Sequence, residues 1–600
     1  PPNFRSWGEL TRFPPNPPTM ARKKRENLES IALRSRWWVR HDLNFAHLHG
    51  FLLWAGLIGF GGALVTVGFR EAMQWVAFLL TGKTGRFSVI SASLAPWHRM
   101  LIPTIGGLLA GLILQYGMNW ARGRRTTDYM EAVTLGDGFI SVRASLVKSA
   151  SSLLTIGSGG SIGREGAMVQ LAAMLGSSLG RILKFPAPTR RQLVACGAAA
   201  GIASAYNAPL AAAIFVAEIV LDSFQLESIA PIIVSSVIAN ATVHGLMGYE
   251  PVYQIPHLQV GESWELLFFL ILGLLAGHLA PTFLWLLDKS QNFYQRLPLP
   301  MFLRLGLGGL AVGVISVHCP QVWGNGYSVV NAILHNPWTA AALLDVLVSK
   351  ILATSAMVGS GAVGGVFTPT LFCGAALGAL VGSCVQQVFP WMADSTTVFA
   401  VVGMGAFLAA STHAPLTSIL MVFEMTRQYE VVLPLMLACV AAHYVAKMYR
   451  HGKSIYAEAL TGKRIGREQA MLLPWQELAN PVQSSVTPAA NLDTIRARLA
   501  EVSFNNLQVV DENGTWLGVV GRKVAASAPA DATAATLMDA FSRCLRSNMT
   551  LEEALQLAAE IPSENLPLVE GTTHKLVGMI SKSDLLRALQ NRLRALARGV

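Results

Sequence analysis

Charge is scarce in this sequence. Asp, Glu, Lys and Arg make up 14% of 600 residues, against roughly 25% in an average soluble chain. The shortage excludes a disordered chain, a long coiled coil and a nucleic-acid-coating protein, which all need far more charge. Cysteine is scarce too: six residues, at 196, 319, 373, 384, 439 and 544, with no CxxC pair and no Cys/His cluster. A disulfide framework is excluded, and neither zinc nor another resident metal is expected. Apolar residues take the place of charge, at 52% of the chain and a mean hydropathy of +0.44. Length alone suggests about four soluble domains, unless a long membrane region uses much of it. In a membrane protein the net charge of +11 reads first as Lys and Arg on the cytoplasmic side.

The chain falls into distinct parts. Residues 1–47 are Pro-rich (Pro14, Pro15, Pro17, Pro18), then basic (Arg22, Lys23, Lys24, Arg25), and Met20 is a candidate start residue. No apolar stretch with a cleavage site follows at signal-peptide spacing, so this is read as an uncleaved cytoplasmic arm. Residues 48–460 are almost all apolar helix candidates, with halves at about 48–250 and 260–460. Segments 100–118, 264–286 and 430–449 reach the about 20 residues a spanning helix needs. Segments 144–156, 167–182, 208–220, 368–388 and 396–411 read as short and Gly/Pro-interrupted. Helices that stop inside a membrane are tolerated where they line an enclosed polar path. The basic loops Arg122–Arg125 and Arg190–Arg191, with the basic arm, read as cytoplasmic and place both termini on that side of a multi-pass membrane protein. After a linker at 461–474, residues 475–600 regain charge and strand patterns. Leu507–Val510, the turn Asp511–Gly514 and Trp516–Val520 predict a hairpin. Leu566–Val569 and Lys575–Ile580 repeat it, after a capping-box match at Thr550 and Glu553.

An internal repeat locates the site. Lys148 precedes the run Gly157-Ser158-Gly159-Gly160-Ser161-Ile162-Gly163-Arg164-Glu165-Gly166 by nine residues. Lys350 precedes Gly359-Ser360-Gly361-Ala362-Val363-Gly364-Gly365-Val366-Phe367-Thr368-Pro369 by the same nine. Further on, Gly197, Ala208-Pro209-Leu210 and Glu218 recur as Gly403, Ala414-Pro415-Leu416 and Glu424, each offset by 206. Glycine-rich interruptions at matching places in two halves point to a binding site at the repeat interface. Such breaks expose unpaired N–H groups where helices begin. Helix N-termini carry about half a positive charge and bind anions. Two of them facing each other suit a permeating anion, which must enter and also leave.

Glu165 is the most informative residue. A carboxylate in the hydrocarbon region costs several kcal/mol, so a functional role is the default reading. Ionised, it can occupy the anion site itself; protonated, it must leave, which makes a gate. The bland reading is an ion pair with Arg164. The tripeptide recurs at Gly466-Arg467-Glu468 in a polar linker, where it carries no meaning.

Gly163-Arg164-Glu165-Gly166, the partner run Gly364 to Pro369, the paired Ala-Pro-Leu segments and Ser454-Ile455-Tyr456 together resemble the CLC chloride channel and transporter family. The first motif is closest to its bacterial ClcB-type members. The resemblance covers about residues 48–460, and the tail resembles paired CBS domains. It implies an all-α membrane domain of two inverted repeats plus an α/β CBS pair, working as a homodimer with a pore in each subunit. It places the gating glutamate on Glu165. It implies an anion-binding set of Thr127, Gly163, Arg164, Gly166, Val366, Phe367, Thr368 and Tyr456. Two departures stand out. The family's first anion loop is Gly-Ser-Gly-x-Pro, and here Thr126 to Glu131 replaces it, with Thr127 aligned to the serine. Proton-coupled members carry an inner glutamate one position after that of Glu218, and here that position is Ile219.

Other signals weigh less. Gly159 to Gly163 matches the hydrolase pattern G-x-S-x-G, but its flanks are apolar helix rather than a soluble sheet. Gly359, Gly361 and Gly364 match a dinucleotide fingerprint without the acid about 20 residues on. Glu218 and Glu424 read equally as caps or as functional groups. His413 reads as a satisfied polar residue. Lys148 and Lys350 read equally as anion attractors and as snorkelling helix ends. In the tail, Gly578 to Asp584 fits a nucleotide-binding pattern, with Ser581 for a phosphate and Asp584 for a ribose. The counterpart Gly518 to Val524 has lost both polar positions, so a structural module is the favoured reading there.

The expected function is transport of chloride or a similar small anion, as a channel or a weakly proton-coupled transporter. No covalent chemistry and no required cofactor are expected, with adenine nucleotide the one candidate ligand of the tail. The alternatives are a coupled Cl−/H+ antiporter, a fluoride- or nitrate-selective member, and a membrane-anchored nucleotide sensor. The sensor predicts no ion flux, and an anchor has no need of duplicated helix breaks.

Overall fold

A computed structural model describes residues 48–121, 128–134, 136–221, 223–248, 253, 255, 263–390, 395–449, 454–456, 478–482, 484–502, 505–540, 543–549, 551–561, 563–571 and 573–588. The chain forms two compact units that divide between Ala457 and Glu458.

Among the described residues, seven helices of the first unit are long and apolar enough to cross a membrane: Phe51–Thr81, Pro96–Trp120, Ser228–Met247, Leu266–Arg296, Met301–His318, Ala340–Gly359 and Phe367–Val388. Pro209–Leu221, Pro415–Thr426 and Val432–Met448 are apolar but shorter. The protein is a multi-pass membrane protein. Two expectations are corrected. The 368–388 segment is not a short, broken piece but lies in a continuous helix of 22 residues, Phe367–Val388. Its glycines are contact points: a Cβ on Gly374 would lie 2.4 Å from the carbonyl oxygen of Gly403, and one on Gly378 2.0 Å from that of Phe399. The 430–449 segment yields a helix of only 17 residues, because Val431 is its N-cap and Tyr449 turns extended.

Hydrophobicity does not drive helices together in lipid, so close packing must. The Pro96–Trp120 and Met301–His318 helices touch through glycines, with Gly107 against Leu305, Gly111 against Phe302 and Gly309 against Pro103. The Glu165–Ile182 helix packs on Ala187–Tyr206 in the same way, through Gly176 and Gly197.

The two halves share backbone detail. Gly159 and Gly361 take φ of 93° and 97°, and Asn207 and His413 take 57° and 59°. The carboxylate of Glu218 accepts from the Leu416 and Thr417 N–H groups at 3.3 and 2.8 Å, and from the Thr417 hydroxyl at 2.6 Å. Glu424 accepts from the N–H groups of Leu210 and Ala211 at 3.1 and 2.7 Å. Each half thus caps a helix of the other at equivalent positions, as a two-fold axis between repeats requires. Both glutamates are caps.

The described residues of the second unit form two three-stranded sheets. The first joins β1 (Ser485–Val486), β2 (Asn506–Val510) and β3 (Trp516–Gly521); the second joins β4 (Leu545–Arg546), β5 (Asn565–Val569) and β6 (Leu576–Ser581). Each begins with a parallel pair, continues with an antiparallel pair and shifts register one residue before the central strand ends. Both expected hairpins are present. Asp511 fixes the first turn by accepting from the N–H groups of Asn513 and Thr515 at 2.9 and 2.7 Å. These bonds hold its carboxyl below the usual range. Thr550, of the expected capping box, lies outside the described residues.

Candidate functional site

The two glycine-rich runs meet. Gly163 N–H donates to the Gly365 carbonyl at 2.7 Å, and Gly365 N–H donates back to Gly163 at 2.9 Å. This antiparallel bridge brings together the starts of two helices, Glu165–Ile182 and Phe367–Val388. Their first N–H groups have no intrahelical partner, so the junction concentrates donors and positive helix ends. Gly163 is fixed sterically, since a Cβ there would lie 2.1 Å from Glu165 Oε2 and 2.9 Å from the Gly365 carbonyl oxygen.

Glu165 is the first residue of its helix and only 4% exposed. Its Oε1 accepts a hydrogen bond from the hydroxyl of Thr368, the second residue of the other helix. Its Oε2 is buried without a hydrogen-bond partner. Arg164 does not hold the carboxylate: its guanidinium lies over the ring of Tyr327, 5.1 Å from the centroid. The Thr368 hydroxyl is 3.5 Å from that of the buried Tyr206. Val366 is the N-cap and Phe367 the first residue of the partner helix, and both are buried. The Phe367 ring packs on Tyr206 at 4.9 Å and on Phe215 at 6.2 Å, and Phe215 meets Tyr456 edge-on at 5.5 Å. Ile455 N–H donates to Ser411 at 3.0 Å and so anchors the chain next to Tyr456.

The structure therefore gathers Gly163, Arg164, Glu165, Gly166, Val366, Phe367 and Thr368 at one junction, with Tyr456 reached through Phe215. Thr127 lies outside the described residues. Ile219 sits in a π-helical turn, Val216–Leu221, not in the expected α-helix. The adjacent Glu218 is committed to its cap. Lys350 is neither a mouth attractor nor a snorkel: it is fully buried and donates to the carbonyls of Val322 and Gly324 at 3.3 and 2.9 Å. Sequence reasoning missed Tyr206, Phe215 and Tyr327. Tyr206 lies two residues before the repeated Ala-Pro-Leu segment, and Tyr327 follows the turn at Gly324-Asn325-Gly326; those positions were the only available signals.

In the tail, Ser581 donates to Asp584 at 2.6 Å and accepts from the Asp584 N–H at 3.1 Å. A cavity of about 950 Å³ opens elsewhere in this unit, beside Gly521, Val524, Asp539 and Glu564. Both repeats line it, and neither Ser581 nor Asp584 is among its lining residues.

The profile of the voltage-gated chloride channel family matches residues 106–447, and the CBS domain profile matches residues 534–591. The chain belongs to the voltage-gated chloride channel, or CLC, family. A ClcB-like putative chloride channel protein of Ralstonia nicotianae is 53% identical over 414 residues, covering 68% of this chain and 96% of the relative. The voltage-gated ClC-type chloride channel ClcB of Salmonella typhimurium is 43% identical over 412 residues, covering 68% and 98%. Among solved structures, a slow cyanobacterial Cl−/H+ antiporter superposes with a TM-score of 0.62 at 26% identity, covering 70% of this CLC chain and 99% of the other. A eukaryotic CLC transporter superposes with a TM-score of 0.61 at 19% identity, covering 89% and 97%. That likeness is one of fold, and it extends beyond the membrane unit.

Proposed function

We propose that this CLC protein carries chloride or a similar small anion across the bacterial inner membrane, along a separate path in each subunit of a homodimer. Both termini face the cytoplasm. The observation that carries the reading is the Glu165 carboxylate, seated at the joined N-termini of two helices with one oxygen unbonded. Carboxylate and anion compete for the same donors, those of Arg164, Gly166, Val366, Phe367 and Thr368; Gly163, also expected in this set, lines the junction but spends its N–H on the Gly365 carbonyl. Thr127 and Tyr456 complete the path. Protonation frees the site, because a neutral carboxyl gains little from helix N-termini. Glu165→Gln mimics that state, so flux into liposomes should become independent of pH; pH dependence equal to that of the native protein would remove Glu165 from the gate.

Coupling to protons is weak or absent. Ile219 cannot hold a proton, and the cap made by Glu218 leaves it poorly placed to relay one. Full antiport is the second reading, supported by the likeness to a Cl−/H+ antiporter at 26% identity.

A further inference from the structure

Three guanidinium groups sit over aromatic rings where helices of the membrane unit begin and end. Arg143 lies over the ring of Trp120 at 5.1 Å, Arg190 over Phe139 at 4.0 Å and Arg181 over the same Phe139 at 5.8 Å. Trp120 is the last residue of Pro96–Trp120, and Arg181 is in the last turn of Glu165–Ile182. Arg143 is in the first turn of a 16-residue helix, Val142–Gly157. Gly117 and Val147 meet where two of these helices pack: a Cβ on Gly117 would lie 2.6 Å from the Val147 side chain. The segment leading to Arg143 is pinned to the Glu165–Ile182 helix. The Ser177 hydroxyl donates to the Gly138 carbonyl and accepts from the Ile140 N–H, both at 2.8 Å. Arg181 donates to the Ile140 carbonyl at 3.2 Å. Ile140 is three residues from Arg143, a reach of about 11 Å at most.

Arg190 is spent on the protein. Its side chain is 14% exposed, donates to the carbonyls of Asp137 and Phe185 at 3.0 and 2.8 Å, and pairs with the Asp137 carboxylate at 3.6 Å. Arg143, Arg181 and Lys184 differ: all three are exposed, and among the described residues none has a carboxylate partner. The first turn that holds Arg143 contains no acid. A cation at that positive helix end works against the helix. Apolar side chains flank these cations. Tyr116 and Trp120 are each 63% exposed, Leu146 50%, and Ile182, next to Arg181, 75%. Aromatic residues at the ends of spanning helices mark the level where hydrocarbon gives way to headgroups. A partner that satisfies both features carries a phosphate for the guanidinium forks and acyl chains for the exposed hydrocarbon. Inorganic phosphate offers only the first, and a lipid without net charge leaves the cations uncompensated.

We propose that Arg143, Arg181 and Lys184, with Trp120, form a binding site for the headgroup of an anionic phospholipid, whose chains pass over the exposed apolar residues beside them. The inference needs only the membrane unit and holds whichever ion the protein carries.

The test uses the full-length protein in detergent, with phosphatidylglycerol or phosphatidylcholine of the same chain length added. Native mass spectrometry reads the bound lipid, and thermal melting reads its effect. Phosphatidylglycerol should bind and raise the melting temperature; phosphatidylcholine should do neither. A single cation near an anionic lipid surface changes affinity by a factor of about five. Arg143→Gln should therefore weaken phosphatidylglycerol binding about fivefold, and Arg143→Gln combined with Arg181→Gln about twenty-five-fold. Arg143 makes no hydrogen bond among the described residues, so without lipid Arg143→Gln should melt as the native protein does. Lys184→Gln replaces the double variant if the latter does not fold, and should add a similar loss. Lys83, which follows the Phe51–Thr81 helix and donates to Ser93, is the control: Lys83→Gln should leave binding unchanged. Equal binding of the two lipids, undiminished binding in Arg143→Gln and Lys184→Gln, or the same rise in melting temperature with inorganic phosphate alone would overturn the proposal.

Discussion

Thr368 and Glu165, 203 residues apart in sequence, meet where the two repeats join, and the hydroxyl of one donates to the carboxylate of the other. The bond favours the ionised, site-filling form of Glu165. Thr368→Val keeps the shape and removes the donor. A hydrogen bond to a charged group contributes about 1.5–3 kcal/mol, equivalent to about one to two pH units. The flux–pH curve should therefore move toward higher pH by at least one unit. Flux assays in liposomes across pH 4 to 8 check this, and an unmoved curve would show that Thr368 does not hold the gate.

The reciprocal caps of Glu218 and Glu424 make a separate expectation. Removing an N-terminal cap costs about 0.5–2 kcal/mol. Glu218→Ala and Glu424→Ala should each lower the melting temperature of the purified protein, and by similar amounts, because the bonds are related by the repeat. Glu→Gln, which keeps one acceptor oxygen, should recover part of the loss. A proton-to-chloride ratio altered by Glu218→Gln would give that residue a second role.

Proton movement against a chloride gradient in proteoliposomes should be weak or absent in the native protein. Hydrocarbon at Ile219 offers no stopping point for a proton. Tight movement at a fixed ratio would defeat this expectation. If Ile219→Glu then left that ratio untouched, the relay would lie elsewhere.

Adenine nucleotide, if it binds, should meet Ser581 and Asp584. The two already face each other across a capping interaction, so binding must exchange that bond for contacts to phosphate and ribose. Any heat seen in calorimetry with ATP, ADP or AMP should be abolished by Asp584→Ala. No heat with any of the three supports a purely structural tail.

Much of this protein was determined by its sequence alone. Apolar composition and a scarcity of charge imposed a membrane domain. The 206-residue offset between Pro209 and Pro415, and between Glu218 and Glu424, announced the duplication. Gly163 to Gly166 and Gly364 to Pro369 marked the helix starts, since glycine is the residue that lets two backbones approach as closely as Gly163 and Gly365 do. Helix lengths were less legible. Glycines at 374 and 378 read as breaks, yet they serve as contacts in an unbroken helix, because composition does not distinguish a turn from a close helix crossing. Only the tertiary structure could decide what Glu165 and Arg164 touch. Neighbours in sequence, they turn to different partners, Thr368 and Tyr327, which lie more than 160 residues away. The same holds for Glu218, whose capping role depends on the helix start at Leu416 and Thr417. Local pattern fixes where a helix begins; which buried groups share its N-terminus depends on how the two repeats pack, and that is a property of the whole fold.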